Sequence, residues 1–337
     1  MALDSPLVHA PDFQSGIWIN TPSRPAWRDS DARALIVSFS DFTCINCLRT
    51  LPYLRAWHRM YAPHLFLITV HTPEFSFAHS PQWVTHSSRR LGIRWPILMD
   101  NKQIEWTAWA VKAWPTLFLV DRSGFIRLTH AGDHDYADVE TALRSLLRYA
   151  HSELDLPEPL GSVRPEDEPG AVCVPTTPEL QADEVNRFVS TQGLTLDRKS
   201  ATPDGYQLIG EWARNADGWQ LIQAPGAINL TYHAAEVHAL LAPAPETGLV
   251  DADHPGDPIV RLEYDGQPAA AGMLGADVFQ TTSGTGLRLD VTRLYNLVKD
   301  SEVDQHELLL SFARPGPTFY AFSFGSCLMP TIDPPSS

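Results

Sequence analysis

Hydrophobic and polar positions follow two patterns in the first half of the chain. Short apolar runs typical of buried strands are separated by stretches in which apolar residues recur every three or four positions, as in a helix. The predicted strands are ALIVSF (34–39), LFLITV (65–70), WPILMD (95–100), TLFLV (116–120) and FIRLTHAG (125–132). The predicted helices are 44–61, 83–92 and 136–150. Strands that alternate with helices and end in a hairpin predict an α/β domain over residues 1–150, with a mixed sheet flanked by helices.

The pattern changes after this domain. Residues 151–184 are rich in proline and carry nine Asp or Glu against one Arg, which predicts a semi-extended linker. From residue 185 onward apolar residues recur at every second position, the period of a half-buried strand. Short segments of this kind, separated by Gly, Pro and Asp turns, predict a C-terminal all-β sandwich or jelly-roll domain over residues 185–330 with about eight short strands.

Charge is unevenly distributed between the two halves. Residues 1–150 carry 15 basic and 13 acidic residues, whereas residues 151–337 carry 10 and 27, and the whole chain has a net charge of −15. The acidic half would repel phosphates, which argues against a nucleic-acid partner. No apolar run of about 20 residues is present, so we expect no membrane span. The N-terminus has no secretory pattern. We therefore expect a cytoplasmic protein if Met1 is the native start, and an exported one if a leader was removed.

Two cysteines at the start of the first predicted helix form a candidate reactive site. Cys44 and Cys47 are a C-x-x-C pair that follows the strand 34–39. The first N–H groups of a helix lack backbone partners and the helix dipole favours an anion there, so a thiolate at Cys44 would be stabilised. Cys47 lies one turn later on the same side of the helix and can attack a mixed disulfide formed at Cys44. The pair therefore predicts a redox-active dithiol.

Other uses of the pair fit the sequence less well. A zinc site needs two cysteine pairs or a pair with spaced histidines, whereas Cys173 and Cys327 stand singly. A peroxidase of the peroxiredoxin type needs Thr three positions before its reactive cysteine, where Cys44 has Asp41. Two inert core thiols are the simplest alternative. We predict no metal and no cofactor other than the Cys44–Cys47 disulfide.

Residues around the pair resemble the thioredoxin superfamily. Pro52 stands eight residues after Cys44, inside the predicted helix, where thioredoxins carry a kinking proline. Trp114, Pro115 and Thr116 precede a predicted strand, as the cis-proline loop of the superfamily does. The resemblance implies a thioredoxin-like fold, a cis bond at Pro115 and a role for these three residues in orienting the substrate.

Further segments resemble one branch of that superfamily. The separation of 71 positions between Cys44 and Pro115 is similar to that of the TlpA/ResA-like branch, which has an insertion there. The segments TCINCLRTLPYLRAW and VHTPEFSF (70–77) are similar to DipZ-type proteins. In these a redox domain is followed by a β-rich, carbohydrate-module-like domain, and RLYNLV (293–298) and FYAFSFG (319–325) resemble that second domain.

The proton acceptor of the family is replaced here. Family members commonly have a buried Asp six residues before the first cysteine, and this chain has Ser38 there, with an acid at Asp41 instead. His71 and Glu74 follow the strand after the helix, at the edge where strand ends line the site of an α/β sheet. Asp41, Glu74 and His71 are therefore candidates for a proton relay to Cys47. The alternative is that His71 and Glu74 are ordinary loop residues.

Two groups of residues in the predicted β domain allow more than one interpretation. Four aromatic residues could either form an exposed face that stacks on sugars or belong to the sandwich core: Trp212, Trp219, Tyr232 and Tyr264. Cys173 and Cys327 flank the domain, one before its first strand and one after its last. They could approach and form a disulfide if the end strands of the sandwich pair, whereas in a reducing cytosol they would stay free thiols.

These observations predict a thiol-disulfide oxidoreductase with Cys44 as nucleophile and Cys47 as resolving cysteine. Its expected partners are protein thiols and disulfides, and an electron donor or acceptor that the sequence does not identify. The β domain would be an accessory unit that binds a protein or a glycan. The alternative is a redox-sensing binding or scaffold protein, in which the β domain recognises a partner and the dithiol is the sensor.

Overall fold

The computed structural model of the chain describes residues 8–14, 16–150, 154–182, 189–190, 204–244, 260–281 and 284–328. The chain divides into two compact units, Met1–Asp167 and Glu168–Ser337. Within the described ranges, no helix has both the length and the apolar character needed to cross a membrane.

A seven-stranded mixed sheet forms the centre of the first unit. Its strands are β1 (Val8–His9), β2 (Ile17–Ile19), β3 (Ala34–Ser40), β4 (Leu65–His71), β5 (Ile97–Met99), β6 (Thr116–Asp121) and β7 (Phe125–Ala131). Their order across the sheet is β1-β7-β6-β3-β4-β5-β2. Strands β3, β4 and β5 are parallel, whereas β6 and β7 form an antiparallel hairpin. The two edge strands β1 and β2 also pair antiparallel with their neighbours. The apolar runs predict the five strands β3 to β7 of this α/β sheet, whereas the short edge strands β1 and β2 were not predicted.

Four helices accompany the sheet: α1 (Ile45–Met60), α2 (Pro81–Arg90), α3 (Ile104–Ala108) and α4 (Tyr136–Ala150). The start of α2 is specified locally, because the Ser80 hydroxyl accepts the Trp83 N–H at 3.3 Å and Pro81 occupies the first helical position. Gly92, with φ of +68°, follows its end. Helices α1, α2 and α4 correspond to the predicted helices. The five-residue α3 was not predicted, because it is too short to show a helical period.

Apolar side chains cover both faces of the sheet. Alternate residues of β3 face opposite sides, as in any strand. Ala34 and Ile36 belong to a cluster that includes side chains of α1 and α4. Leu35 and Val37 belong to a second cluster, which includes Trp109 after α3. Because both faces are covered, β3 reads as a continuous apolar run rather than an alternating one.

The second unit is all-β, as predicted. Its strands are β8 (Val172–Cys173), β9 (Leu180–Gln181), β10 (Val189–Ser190), β11 (Gly205–Arg214), β12 (Trp219–Ala242), β13 (Val260–Tyr264), β14 (Gln267–Pro268), β15 (Val278–Thr281), β16 (Gly284–Leu287), β17 (Arg293–Phe312), β18 (Thr318–Gly325) and β19 (Cys327–Leu328). A 10-stranded sheet has the main order β10-β11-β12-β17-β13-β16-β15, with β18 on β12 and β9, and β14 on β13. Strands β8 and β19 form a separate two-stranded ladder.

Two strands of this sheet are far longer than the short strands predicted. Strand β12 has 24 residues and β17 has 20, and the two pair along most of their length. The prediction of short strands is wrong. Pro and Gly usually mark a turn, but Pro225 and Gly226 lie within β12, beside a bulge in β11. Gly210 occupies that bulge with φ of +102°, and a Cβ there would lie 3.1 Å from the Pro225 carbonyl oxygen. The close approach therefore requires glycine.

The four aromatic residues proposed for a sugar-stacking face belong to the core of the second unit. Trp212, Tyr232 and Tyr264 are buried in its main apolar cluster, and Trp219 is packed against that cluster. These side chains therefore form the sandwich core and not an exposed stacking face.

Of the two states that the sequence left open for Cys173, free thiol or disulfide, the structure has the disulfide. In the ladder of β8 and β19, the residue opposite Cys173 is Cys327. Directly opposed residues of an antiparallel ladder have Cα atoms about 4.5–5.5 Å apart, a separation that a disulfide can span. The sequence did not decide between the two states, because the two positions lie far apart along the chain and each strand has only two residues.

Residues 154–167, within the predicted linker, pack against the first unit and are called the strap here. Leu154, Leu156 and Leu160 contact the cluster formed by α1 and α4. The Leu160 N–H donates to both carboxylate oxygens of buried Glu140, at 2.9 and 3.0 Å. Three leucines spaced among prolines and acids supply this apolar contact, which the overall composition of the segment conceals. Residues 151–153 and 183–184 of the predicted linker lie outside the described residues.

The end of the strap is bonded to α1. The Tyr53 hydroxyl donates to Asp167 Oδ2 at 2.6 Å and accepts the Val163 N–H at 2.9 Å. Arg164 binds the same carboxylate with Nε at 2.6 Å and Nη2 at 2.5 Å. The Tyr53 ring stacks on Tyr136 of α4 at 3.9 Å. The strap is therefore a structural part of the first unit, which ends at Asp167.

Removing the Tyr53 hydroxyl should destabilise the first unit. We expect Tyr53→Phe to lower its free energy of unfolding by about 1–2 kcal/mol, because Val163 N–H and Asp167 each lose a hydrogen bond. The full chain is titrated with urea, and labelling of the buried Cys47 thiol reports unfolding of this unit alone. Tyr149→Phe is the matched control, since Tyr149 is 78% exposed, and should leave the midpoint unchanged. Equal midpoints for Tyr53→Phe and the wild type would contradict the prediction.

Candidate active site

The dithiol lies where β3 ends and α1 begins. Cys44 directly precedes the first residue of α1 and is partly exposed. Its backbone N–H donates to the Asp41 carbonyl at 3.2 Å, and its carbonyl accepts the Leu48 N–H at 3.1 Å. The Cys44 side chain makes no capping hydrogen bond to the helix. Cys44 therefore stands at the N-terminus of α1, where the N–H groups of the first turn lack backbone partners.

Cys47 lies one turn further along α1 and is shielded. It is 1% exposed, and its Sγ accepts the Asp41 backbone N–H at 3.4 Å. Burial, and next the neighbouring Cys44, raise the pKa of the Cys47 thiol, whereas hydrogen bonds from the Ser40 side chain and the Asp41 backbone act to lower it. Cys44 and Cys47 are both free thiols. The start of α1 thus presents one accessible and one buried thiol.

Asp41 lies directly beneath this loop, as a fully buried carboxylate. Its Oδ1 accepts the Thr43 N–H at 2.9 Å and its Oδ2 accepts the Glu74 N–H at 2.7 Å. Both oxygens are therefore occupied by backbone donors, one from the dithiol loop and one from the loop after β4. This satisfies a group whose burial would otherwise be costly.

His71 ends β4 next to the same carboxylate. The parallel register pairs it with Ser40, the last residue of β3. The ring is fully buried, lies tilted with its centroid 4.7 Å from that of the Phe42 ring, and has Nε2 at 3.2 Å from the Ala78 carbonyl oxygen. Burial lowers the pKa of His71, against the opposing effect of the charge of Asp41. His71 is therefore neutral near pH 7 and does not neutralise that charge.

The other positions considered for proton transfer lie differently. Glu74 is exposed, and its backbone N–H is the group that bonds Asp41. Ser38, at the position of the family's acid, is 1% exposed and pairs with Thr69 of β4. Of the three relay candidates, the structure brings Asp41 and His71 together behind the dithiol, whereas Glu74 lies at the surface. Their participation in proton transfer stays a prediction.

The predicted cis-proline loop lies beside the dithiol loop. The Trp114–Pro115 peptide bond is cis, as the resemblance implies. Thr116 pairs with Phe39 in the antiparallel register of β6 and β3, so the cis bond lies next to the end of β3 that leads to the cysteines. The Pro115 carbonyl accepts the Gly132 N–H at 2.9 Å, which ties this loop to the end of the hairpin.

The side chains that flank the cis bond are held within the loop. The Thr116 hydroxyl donates to the Ala113 carbonyl at 2.7 Å. The Trp114 ring lies 4.8 Å from the Trp106 ring. The role of Trp114, Pro115 and Thr116 in orienting a substrate stays a prediction.

Ser40 is a site residue that the sequence analysis did not identify. Its side chain hydrogen bonds to Cys47 and lowers the pKa of that thiol. Its position as the last residue of β3, four before Cys44, was the available signal. In the part of the chain that the structure describes, no group of three or more His, Cys, Asp or Glu residues is arranged to hold a metal ion.

Comparison with known proteins matches both units. Residues 177–325 match the family described as the thioredoxin-like C-terminal domain. The protein DipZ of Mycobacterium bovis is 31% identical over 281 residues, which cover 80% of this chain and 39% of DipZ. This alignment includes parts of both units, because neither unit is that long. The chain thus spans about two fifths of the length of this relative.

Two shorter matches involve thiol-disulfide proteins. The thiol-disulfide oxidoreductase ResA of Geobacillus kaustophilus is 25% identical over 121 residues, covering 35% of this chain and 66% of ResA. A solved structure of a thiol-disulfide isomerase from Corynebacterium glutamicum is 22% identical and has a TM-score of 0.37, covering 43% of this chain and 97% of that one. The mixed sheet, the C-x-x-C pair at the start of α1 and these matches support a thioredoxin-like classification of the chain, which is similar to ResA and to the DipZ proteins.

Proposed function

We propose that the chain is a thiol-disulfide oxidoreductase that exchanges disulfides with protein substrates through Cys44 and Cys47. One observation carries this proposal: a partly exposed Cys44 at the N-terminus of α1 stands one turn from a buried Cys47. Disulfide exchange needs one thiol that a large substrate can reach and a second that attacks only after the first has reacted. The relative named as the thiol-disulfide oxidoreductase ResA supports the same activity.

The first step is attack by the Cys44 thiolate on a substrate disulfide. A bond forms between Cys44 Sγ and one substrate sulfur, the substrate S–S bond breaks, and the second substrate sulfur leaves as a thiolate. The N–H groups and dipole at the start of α1 favour the attacking thiolate. The loop of Trp114, Pro115 and Thr116 lies beside the end of β3 and is suited to align an extended substrate segment.

The second step releases the substrate. Cys47 loses its proton and attacks Cys44 Sγ, so the mixed disulfide breaks and the first substrate sulfur, which was bonded to Cys44, leaves as a thiolate. The chain now carries the Cys44–Cys47 disulfide, and two electrons have passed to the substrate. A dithiol reductant must return these electrons before another cycle. If the chain starts as the disulfide, the same steps run in reverse and oxidise a substrate dithiol.

Single-cysteine variants test the assignment of the two roles. With dithiothreitol as reductant and insulin as model substrate, we expect the full chain to accelerate reduction of the insulin disulfides. Cys47→Ser should stop turnover and accumulate a mixed disulfide at Cys44, because the resolving thiol is absent. Cys44→Ser, the matched loss of one thiol, should give neither turnover nor a trapped complex. No turnover and no trapped complex would contradict the enzyme proposal and favour the redox-sensor alternative.

The two thiols should also differ in reactivity. At about pH 7 we expect iodoacetamide to modify Cys44 and to spare Cys47 in the folded chain, because only the thiolate reacts and burial raises the pKa of Cys47. Labelling of Cys47 should increase only as the pH approaches that raised pKa, and in denaturant both thiols should react. Peptide mass spectrometry of residues 44–47 measures each rate. Equal rates for the two cysteines in the folded chain would be the contrary result.

A further inference from the structure

Asp41 forms hydrogen bonds with both cysteines and with the two loops beside them. Its backbone carbonyl accepts the Cys44 N–H at 3.2 Å, and its backbone N–H donates to Cys47 Sγ at 3.4 Å. Its carboxylate accepts the Thr43 N–H at 2.9 Å and the Glu74 N–H at 2.7 Å. One buried residue therefore touches both cysteines through its backbone and joins two loops through its side chain.

A carboxylate suits this position better than a neutral side chain of the same shape. Both of its partners are N–H donors, and a carboxylate offers two acceptor oxygens, whereas an amide offers one oxygen and one NH₂ group. An asparagine would therefore point a donor at one of the two backbone N–H groups.

The Asp41 carboxylate is bonded next to the two cysteines. The Asp41 backbone nitrogen is 3.4 Å from Cys47 Sγ, and its carboxylate accepts the N–H of Thr43, the residue directly before Cys44. Neighbouring His71 is fully buried and neutral near pH 7, since burial lowers its pKa. A negative charge near a pair of thiols disfavours their thiolates, and with them the reduced state.

We propose that Asp41 is a positioning residue that sets the balance between the dithiol and disulfide states of Cys44 and Cys47. It clamps the loop before α1 to the loop after β4, and its charge favours the disulfide state. It occupies a different place from the family's buried acid, whose position is Ser38 in this chain. The inference rests on the proposed function only in requiring that Cys44 and Cys47 form a disulfide.

Asp100 provides a matched control. It follows β5 as Asp41 follows β3, and it is also buried. Its Oδ1 accepts the Ile104 N–H at 2.7 Å and its Oδ2 accepts the Trp106 N–H at 2.8 Å. Asp100→Asn thus removes a buried carboxylate with the same kind of bonds, at the start of α3 instead of beside the cysteines.

The experiment measures the dithiol-disulfide equilibrium of the full chain in glutathione buffers. Samples are quenched by alkylation and residues 44–47 are quantified by peptide mass spectrometry, so that the disulfide at Cys173 does not contribute. We expect Asp41→Asn to shift the equilibrium about tenfold toward the dithiol, which corresponds to about 30 mV. Asp100→Asn should stay within about twofold of the wild type, even where it lowers stability.

Asp41→Glu keeps the test decisive if Asp41→Asn does not fold. This variant retains the charge and both oxygens, and we expect its equilibrium to stay within about twofold of the wild type. If the equilibrium of Asp41→Glu shifted about tenfold toward the dithiol, the result would overturn the inference. So would an unchanged equilibrium in folded Asp41→Asn, or equal shifts in Asp41→Asn and Asp100→Asn. These results leave the proposed function intact, whereas failure of the wild-type chain to form the Cys44–Cys47 disulfide at any glutathione ratio would sink both.

Discussion

Parallel pairing of β3 with β4, and of β4 with β5, ends three strands at one edge of the sheet. The register places Ser40 beside His71, and His71 beside Met99. Asp41, which follows β3, and Asp100, which follows β5, are both buried acids. Parallel strands need a crossover connection, so the chain must leave this edge as loops that lead into helices. The helix that bears the dithiol begins here for that reason, and Ser40, Asp41, Cys44 and His71 lie on these loops or strand ends.

Buried acids are tolerated at this edge because the loops supply donors. Burying a carboxylate without hydrogen-bond partners costs free energy. Asp41 and Asp100 each accept hydrogen bonds from at least two backbone N–H groups, which offset this cost. The same bonds hold the loops in a single conformation, which a reactive pair of thiols requires. Stability of the loops and reactivity of the site thus come from the same few hydrogen bonds.

The regular elements of the first unit could be predicted from the sequence, whereas several contacts of the site could not. The apolar runs of β3 and β4 and the period of α4 are long enough to identify each element, and the predicted bounds agree to within about two residues. The resemblance to the thioredoxin superfamily implied the cis bond between Trp114 and Pro115, which the structure contains. The hydrogen bond from Ser40 to Cys47 and the hydrogen bonds of Asp41 form only when the fold brings distant parts of the chain together. A single sequence carries no periodic signal for such contacts.

In the second unit, local turn signals were misleading. Pro225 and Gly226 indicate a break in a strand, but a bulge in the partner strand accommodates them within β12. The ladder of β8 and β19 was missed because two-residue strands have no detectable pattern. The strap was missed for a related reason, since its leucines matter only when the surface of α1 and α4 is present to receive them.

The strap also has a mechanical consequence. Asp167 is the last residue of the first unit, and the peptide bond to Glu168 joins the two units. Asp167 is held by the hydroxyl of Tyr53, which lies six residues after Cys47 on the helix that bears the dithiol. Tension along the chain at that junction would therefore pull on the Tyr53 contact, and through it on the helix whose first turn carries the two thiols.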